Sequence, residues 1–129
     1  MRLAACLALL AALPCAAQPT LVADVNPGPA DGTVTELEVF DGDIYFSGKA
    51  AGGTELWRYD PDTGEAERLT NLQAQSLKPD NLTELGGLLY FDGTDDAHGR
   101  ELWRYDPLTR EADIVVDILP GPDPSTPDF

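Results

Sequence analysis

Apolar and polar residues alternate along this chain in short runs that are separated by turn residues. From Pro19 onward, no long run carries the apolar period of about 3.6 residues that marks a helix. Alternation with a period of two is typical of strands that are buried on one face. The pattern therefore predicts an all-β chain of short strands joined by hairpins.

Nine strands are predicted, and eight of them fall into two sets of four. The first set covers 35–40, 44–47, 55–60 and 65–72, and the second covers 82–85, 88–92, 101–106 and 111–118. Tight turns are expected at 41–42, 61–64, 86–87 and 107–110, where glycine, proline and aspartate supply the special backbone angles of hairpins. A ninth, leading strand at 21–25 is stopped by the prolines of 26–29.

The two sets of strands are copies of one another. The seven letters Glu-Leu-Trp-Arg-Tyr-Asp-Pro at 55–61 return at 101–107, 46 residues later. Apolar positions outside this motif repeat too, since Ile-Tyr-Phe at 44–46 matches Leu-Tyr-Phe at 89–91. The motif residues that we expect to mark the repeat structurally are Glu55, Leu56, Trp57, Tyr59, Asp60, Glu101, Leu102, Trp103, Tyr105 and Asp106.

Four hairpin-connected strands in a unit are typical of a propeller blade. We predict a leading outer strand and turn over 18–33, repeat unit 1 over 34–79 and repeat unit 2 over 80–118. A truncated third unit is expected over 119–129, because 115–122 aligns with 22–29. Propellers usually have 4–8 blades, so two antiparallel propeller-like blades and a leading strand form an incomplete propeller. Further blades are expected in the same longer protein, of which this chain is a fragment, or in another chain.

The first residues predict export. Residues 1–17 have a signal peptide's form: Arg2, an apolar run over 3–13 and the small residues Ala16 and Ala17. The run is shorter than the ~20 residues of a spanning helix, and the lipobox-like letters at 3–6 precede it instead of following it. We expect a secreted, periplasmic or cell-surface protein, not held in the membrane after signal removal. Its two cysteines, Cys6 and Cys15, would be lost with the signal.

Charge narrows the range of partners. The chain has 23 Asp and Glu against 8 Lys and Arg, a formal net charge of -15. Such a surface repels phosphate backbones, so nucleic acid is not an expected partner. The carboxylates could attract Ca2+ or keep an exported protein in solution.

Few residues suggest chemistry. Glu55 and Glu101 could be the paired carboxylates of glycoside hydrolysis, but they recur once in each unit, so we expect them to pair with Arg58 and Arg104 or with the neighbours of these arginines. His98 is the only histidine, and no cysteine accompanies it, which makes a zinc site unfavourable. No catalytic or cofactor-binding residue is assigned, and we do not expect an enzyme.

Calcium is the only cofactor that the sequence leaves open. Asp92, Asp95 and Asp96 are candidate Ca2+ ligands in the loop before His98. Their spacing does not fit an EF-hand, and the corresponding loop of unit 1 has no carboxylate. A solvated loop is the simpler interpretation.

The segment Gly-Thr-Glu-Leu-Trp-Arg-Tyr-Asp at 53–60, its second copy and the spacer at 117–121 resemble the ELWxxDGT repeat of exported bacterial proteins. The Glu-Leu-Trp-x-x-Asp core matches twice, whereas the family's final Gly-Thr is Pro61-Asp62 and Pro107-Leu108 here. The resemblance implies a divergent or truncated member of long secreted or surface proteins with no settled activity.

These observations predict an exported, non-enzymatic β-propeller-type repeat segment that provides a binding or scaffolding surface for a protein or a glycan. One alternative is part of a secreted propeller enzyme that acts on polysaccharide, with its catalytic residues outside this chain. Another is a calcium-stabilised surface adhesion module.

Overall fold

The computed structural model describes residues 17–72 and 76–122, and these residues contain eight strands and no helix. The predicted all-β class is therefore confirmed for this part of the chain. The strands are β1 (Val34–Phe40), β2 (Asp43–Ala50), β3 (Gly53–Asp60), β4 (Glu65–Arg68), β5 (Asp80–Leu85), β6 (Leu88–Asp95), β7 (Gly99–Asp106) and β8 (Glu111–Val116). Most of the predicted signal peptide, 1–16, and the 123–129 part of the predicted third unit lie outside the described residues.

The strands form two four-stranded antiparallel sheets, with the orders β1-β2-β3-β4 and β5-β6-β7-β8. Successive strands are hydrogen-bonded neighbours, as expected from the predicted hairpins. At the first turn Asp41 and Gly42 have φ values of 51° and 88°, the positive angles that a type I′ turn needs. β2 and β6 run further than predicted because Gly48 pairs with Glu55 and Gly93 with Glu101, so the intervening turns shrink.

Each sheet has a bulge at the same place. The register of β1 against β2 shifts between Thr35 and Glu38, and that of β5 against β6 shifts between Asp80 and Thr83. Glu36 and Asn81, the first residue within each shift, have φ values of 57° and 55°. A bulge re-aims a strand and fixes its register. The two units therefore share this irregular feature of the backbone as well as their regular strands.

The predicted leading strand at 21–25 is wrong, because these residues pair with no strand. Residues 21–25 differ in this from the segment that follows β4. That segment hydrogen bonds to the sheet it leaves, where the Leu69 N–H donates to the Leu56 carbonyl at 2.8 Å. No strand precedes β1 among the described residues, so 21–25 has no such partner. Val22 and Val25 instead line a small apolar cavity of about 120 Å³ against Phe46 of the first sheet.

The two faces of each sheet differ in composition. In the first sheet Tyr45, Leu56 and Arg58 point to one side, and Ile44, Phe46, Trp57 and Tyr59 point to the other. We call these the leucine face and the tryptophan face. In the second sheet the leucine face carries Tyr90, Leu102 and Arg104, and the tryptophan face carries Leu89, Phe91, Trp103 and Tyr105.

The core lies where the leucine face of the first sheet packs on the tryptophan face of the second. Tyr45 and Leu56 are 3% and 0% exposed, and the rings of Tyr45 and Tyr105 lie 6.2 Å apart. The first strands of the two sheets also meet, since the Asn81 N–H donates to the Glu36 carboxylate at 3.0 Å. The two sheets therefore stack through unlike faces.

Residues 17–72 and 76–122 contain no helix that is long and apolar enough to cross a membrane.

Candidate functional site

The motif glutamates hold the segments that leave each sheet. Glu55 is fully buried and accepts hydrogen bonds from the Thr70 hydroxyl at 2.6 Å and the Leu72 N–H at 3.2 Å. Glu101, also fully buried, accepts from the N–H groups of Ile118 and Leu119 at 3.1 and 3.4 Å. A buried carboxylate requires such partners, and these come from the segment that leaves its own sheet.

The expected pairing of Glu55 with Arg58 is wrong. Arg58 lies on the leucine face and pairs with Asp43 at 2.6 Å and Glu67 at 3.0 Å. Glu55 lies on the opposite face, where its nearest guanidinium belongs to Arg68 at 3.9 Å. Strand alternation places positions 55 and 58 on opposite faces, which explains the difference.

Each motif tryptophan lies against a glycine of the neighbouring strand. The indole N–H groups of Trp57 and Trp103 donate to the carbonyl oxygens of Gly48 and Gly93, both at 3.1 Å. A Cβ added to either glycine would lie 2.9 Å from Cδ1 of the indole. Both indoles therefore pack against the neighbouring strand of their own sheet. The signal for this contact is the recurrence of glycine 45 residues apart in the sequence.

The motif aspartates organise the turns after β3 and β7. Asp60 Oδ1 accepts from the N–H groups of Asp62 and Thr63 at 2.8 and 3.2 Å, and Asp106 Oδ1 accepts from the Leu108 N–H at 2.8 Å. The bond from the Asp62 N–H lowers the pKa of Asp60. Short polar side chains commonly fix turns in this way. The residues that replace the Gly-Thr of the ELWxxDGT pattern, Pro61-Asp62 and Pro107-Leu108, thus lie in these turns.

A cleft opens between the two sheets at their hairpin end, and its walls come from both units. Its volume is about 380 Å³, and we call it the junction cleft. It is lined by Phe40, Asp41, Asp43, Tyr45, Arg58, Gly87, Tyr105, Pro107, Leu108 and Arg110. Sequence reasoning missed this cleft, because no single unit contains its lining.

Ion pairs connect charged side chains in and beside the junction cleft. Glu67 accepts from Arg58 at 3.0 Å and from Arg110 at 2.8 Å, which links the two sheets. The bond from Arg110 lowers the pKa of Glu67. Burial raises the pKa values of Tyr45 and Tyr105, so both phenols stay neutral at ordinary pH. Aromatic walls with neutral hydroxyls and paired ions suit a neutral ligand rich in hydroxyl groups better than a highly charged one.

The structure divides the candidate calcium ligands among different partners. Asp92 is fully buried, and its Oδ2 accepts from Arg100 at 2.7 Å and from the Asn81 amide at 2.8 Å. Asp95 is engaged with the ring of His98, at 2.9 Å from Nδ1. Across the described ranges, no group of three or more His, Cys, Asp or Glu residues is arranged to hold a metal ion. Asp96 does not join the other two in a common site.

Asp95 and His98 form a local pair in the turn between β6 and β7. The hydrogen bond with Asp95 raises the pKa of His98. Burial acts to raise the pKa of Asp95, but the bonds from the His98 ring and its backbone N–H outweigh burial and lower it. The pair closes the three-residue turn between β6 and β7 and is placed to fix its conformation.

No family model matches this chain, and no curated protein matches it.

Proposed function

We propose that this chain is an exported, non-enzymatic repeat segment of the β-propeller type, whose stacked units provide a binding or scaffolding surface. The observation that carries the proposal is the packing of unlike faces. Tyr45 and Leu56 are buried on the leucine face that is covered, whereas their equivalents Tyr90 and Leu102 are only partly buried. Each unit thus offers one face that fits the preceding unit and one that fits the next, as blades do.

The repeated carboxylates support a non-enzymatic role. Glu55 and Glu101 are both fully buried, and each holds the backbone of its own unit. A general acid or base must reach the proton that it transfers, within hydrogen-bonding distance of substrate. The oxygens of these two side chains instead accept hydrogen bonds that hold the fold.

The junction cleft supports a binding role. Its aromatic and hydroxyl lining is formed by Tyr45 of one sheet and Tyr105 of the other. In a longer array Tyr90 would face the residue equivalent to Tyr105 in the following unit. Such an array would present a row of similar clefts, and a polymer with a repeating hydroxyl-rich unit, such as a glycan, is the ligand that fits it.

A chain extended by one unit tests the stacking. Residues 76–122 are repeated after residue 122, and unfolding by urea is compared with that of the original chain. Stacking predicts a higher midpoint, because Tyr90 and Leu102 become covered. A matched extension with Phe91→Asp and Trp103→Asp in the added unit should give no such gain. Equal midpoints for the original and extended chains would refute the proposal.

Glycan binding and export are tested separately. Binding of the purified chain to immobilised polysaccharides is compared with that of Tyr45→Phe, which removes the cleft hydroxyl and keeps the buried ring, and of Thr63→Ala, an exposed turn residue outside the junction cleft. Loss in the first variant alone is expected, and release of soluble sugar from any bound polysaccharide would instead support the enzyme alternative. Cell fractionation should find the chain outside the cytoplasm, shortened by its first 17 residues.

A further inference from the structure

We infer that the leucine face of the second sheet binds the tryptophan face of the first sheet in a second copy of this chain. The inference rests on the proposed stacking of units and names the partner. Copies would add head to tail through the same pair of faces that meets inside one chain.

The leucine face of the second sheet has an apolar groove with a volume of about 360 Å³. The groove is lined by Asn81, Thr83, Leu85, Tyr90, Phe91 and Leu102. Leu85 is 67% exposed, although its equivalent in the first sheet, Phe40, packs against the core. The groove thus exposes apolar side chains of the types that the internal junction buries.

The complementary surface is the tryptophan face of the first sheet. Ile44, Phe46, Trp57 and Tyr59 stand where the second sheet has Leu89, Phe91, Trp103 and Tyr105. Trp57 is only partly buried, whereas Trp103 is 7% exposed beneath the first sheet.

The leading segment covers part of this face, since Val22 and Val25 line a cavity with Phe46, which is 5% exposed. Ile44, Trp57 and Tyr59 remain only partly buried. Leu69 and Leu72 flank the core at the internal junction in a similar way. An equivalent backbone hydrogen bond joins each segment to the sheet that follows it. The Lys49 N–H donates to the Gly32 carbonyl at 2.8 Å, and the Thr94 N–H donates to the Leu77 carbonyl at 2.7 Å. A second copy therefore meets a surface already arranged like the internal one.

The apolar contacts of the internal junction carry over to the contact between copies, but its ion pair does not. Within the chain Tyr45 packs against Tyr105. Between copies Tyr90 of one would face Tyr59 of the other, so this contact also joins two tyrosines. The Arg110–Glu67 pair becomes Gly64 and Asp113, which cannot pair. Apolar burial must drive the association, and each copy carries a formal charge of -15, so screening by salt should strengthen it.

Unlike faces make the contact heterologous. A heterologous contact leaves one free face at each end, so copies form either a ring or an open filament according to the rotation between them. A symmetric dimer through two like faces is excluded by the inference and serves as its competitor.

The first test is sedimentation of the full chain with Cys6→Ser and Cys15→Ser over a wide concentration range. We expect the mass to rise above 13.8 kDa with concentration and with added NaCl. Leu102→Glu should weaken this association at least tenfold, whereas Thr109→Glu, with the same added charge at an exposed turn, should not. Association that Leu102→Glu leaves unchanged overturns the inference, since another surface must then be responsible.

The second test maps the contact in folded protein. Tyr90→Cys in one chain and Tyr59→Cys in another, both in the cysteine-free background, are mixed and joined with a short bismaleimide. The mixed pair should form a covalent dimer faster than either variant alone and faster than Tyr90→Cys mixed with Thr109→Cys. Equal or faster joining of Tyr90→Cys to itself overturns head-to-tail docking in favour of like faces. Circular dichroism melting of each variant confirms that it is folded before the comparison is made.

The two proposals can fail separately. If the tethered third unit stabilises the chain but the free chain stays monomeric at every concentration, docking of a second copy is wrong and the proposed stacking stands. If neither occurs, both are wrong.

Discussion

The indole of Trp103 lies directly over Gly93 of the neighbouring strand, to whose carbonyl oxygen it donates a hydrogen bond of 3.1 Å. A Cβ at this glycine would lie 2.9 Å from the ring and 2.8 Å from Leu77. We therefore expect Gly93→Ala to lower the free energy of unfolding by about 1–3 kcal/mol, the usual effect of overpacking a core. Urea denaturation monitored by tryptophan fluorescence measures it.

Gly48→Ala is the matched control. Its Cβ meets Trp57 at 2.9 Å, but that indole is only partly buried and has room to move outward. The loss should be smaller than for Gly93→Ala. A larger loss at Gly48 would contradict the packing that separates the two tryptophans.

Glu101 should stabilise the chain through the segment that it holds. Because Glu101→Ala removes the fully buried carboxylate that accepts from the N–H groups of Ile118 and Leu119, we expect a loss of about 1–3 kcal/mol. Amide hydrogen exchange should accelerate at 118 and 119 in this variant and remain unchanged there in Glu55→Ala, which affects Leu72 instead. Glu65→Ala, on an exposed position of β4, should be nearly neutral. Unchanged exchange at 118 in Glu101→Ala would show that this bond does not hold the segment.

The Asp95–His98 pair makes stability depend on pH near neutrality. The folded pKa of His98 is raised above its usual value of about 6.5, so the paired form stabilises the fold fully below that value. This contribution is lost as pH rises through the raised pKa. Melting temperature should therefore fall across that interval in the unaltered chain more than in Asp95→Asn.

NMR titration of the single histidine checks the cause directly. In Asp95→Asn the pKa of His98 should return toward its ordinary value. If the two proteins titrate together, the hydrogen bond does not control the charge of the ring.

Calcium should leave stability unchanged, because Asp92 is held by Arg100 and Asn81 while Asp95 is held by His98. We expect the same melting temperature in EDTA and in millimolar CaCl2, with MgCl2 as the ionic-strength control. A ligand that binds only the folded state raises the melting temperature. A clear rise with Ca2+ alone would revive the calcium-stabilised adhesion module.

The regular part of the fold was readable from local patterns. Period-two alternation and turn chemistry predicted eight strands, since a hairpin such as 41–42 depends on its own two residues. The prediction of a leading strand at 21–25 is wrong for a tertiary reason. Val22 and Val25 have strand-forming side chains, but a strand needs a paired edge, and that edge belongs to tertiary structure.

The candidate site was less predictable because it combines distant residues. The junction cleft joins Tyr45 to Tyr105, which lie in different repeats, and the Arg110–Glu67 pair spans 43 residues. The sequence contains two signals of the site: Gly48 and Gly93 recur 45 residues apart, and strand alternation opposes the pairing of Glu55 with Arg58.

The bond from each motif glutamate to the departing backbone constrains where the unit can change length. Glu55 to Leu72 and Glu101 to Ile118 are both separations of 17 residues. An insertion in the β3–β4 or β7–β8 hairpin would shift a different amide into the carboxylate's reach. The β2–β3 and β6–β7 turns lie outside this path, and there the units already differ by one residue. Length variation among such units should therefore concentrate in that turn.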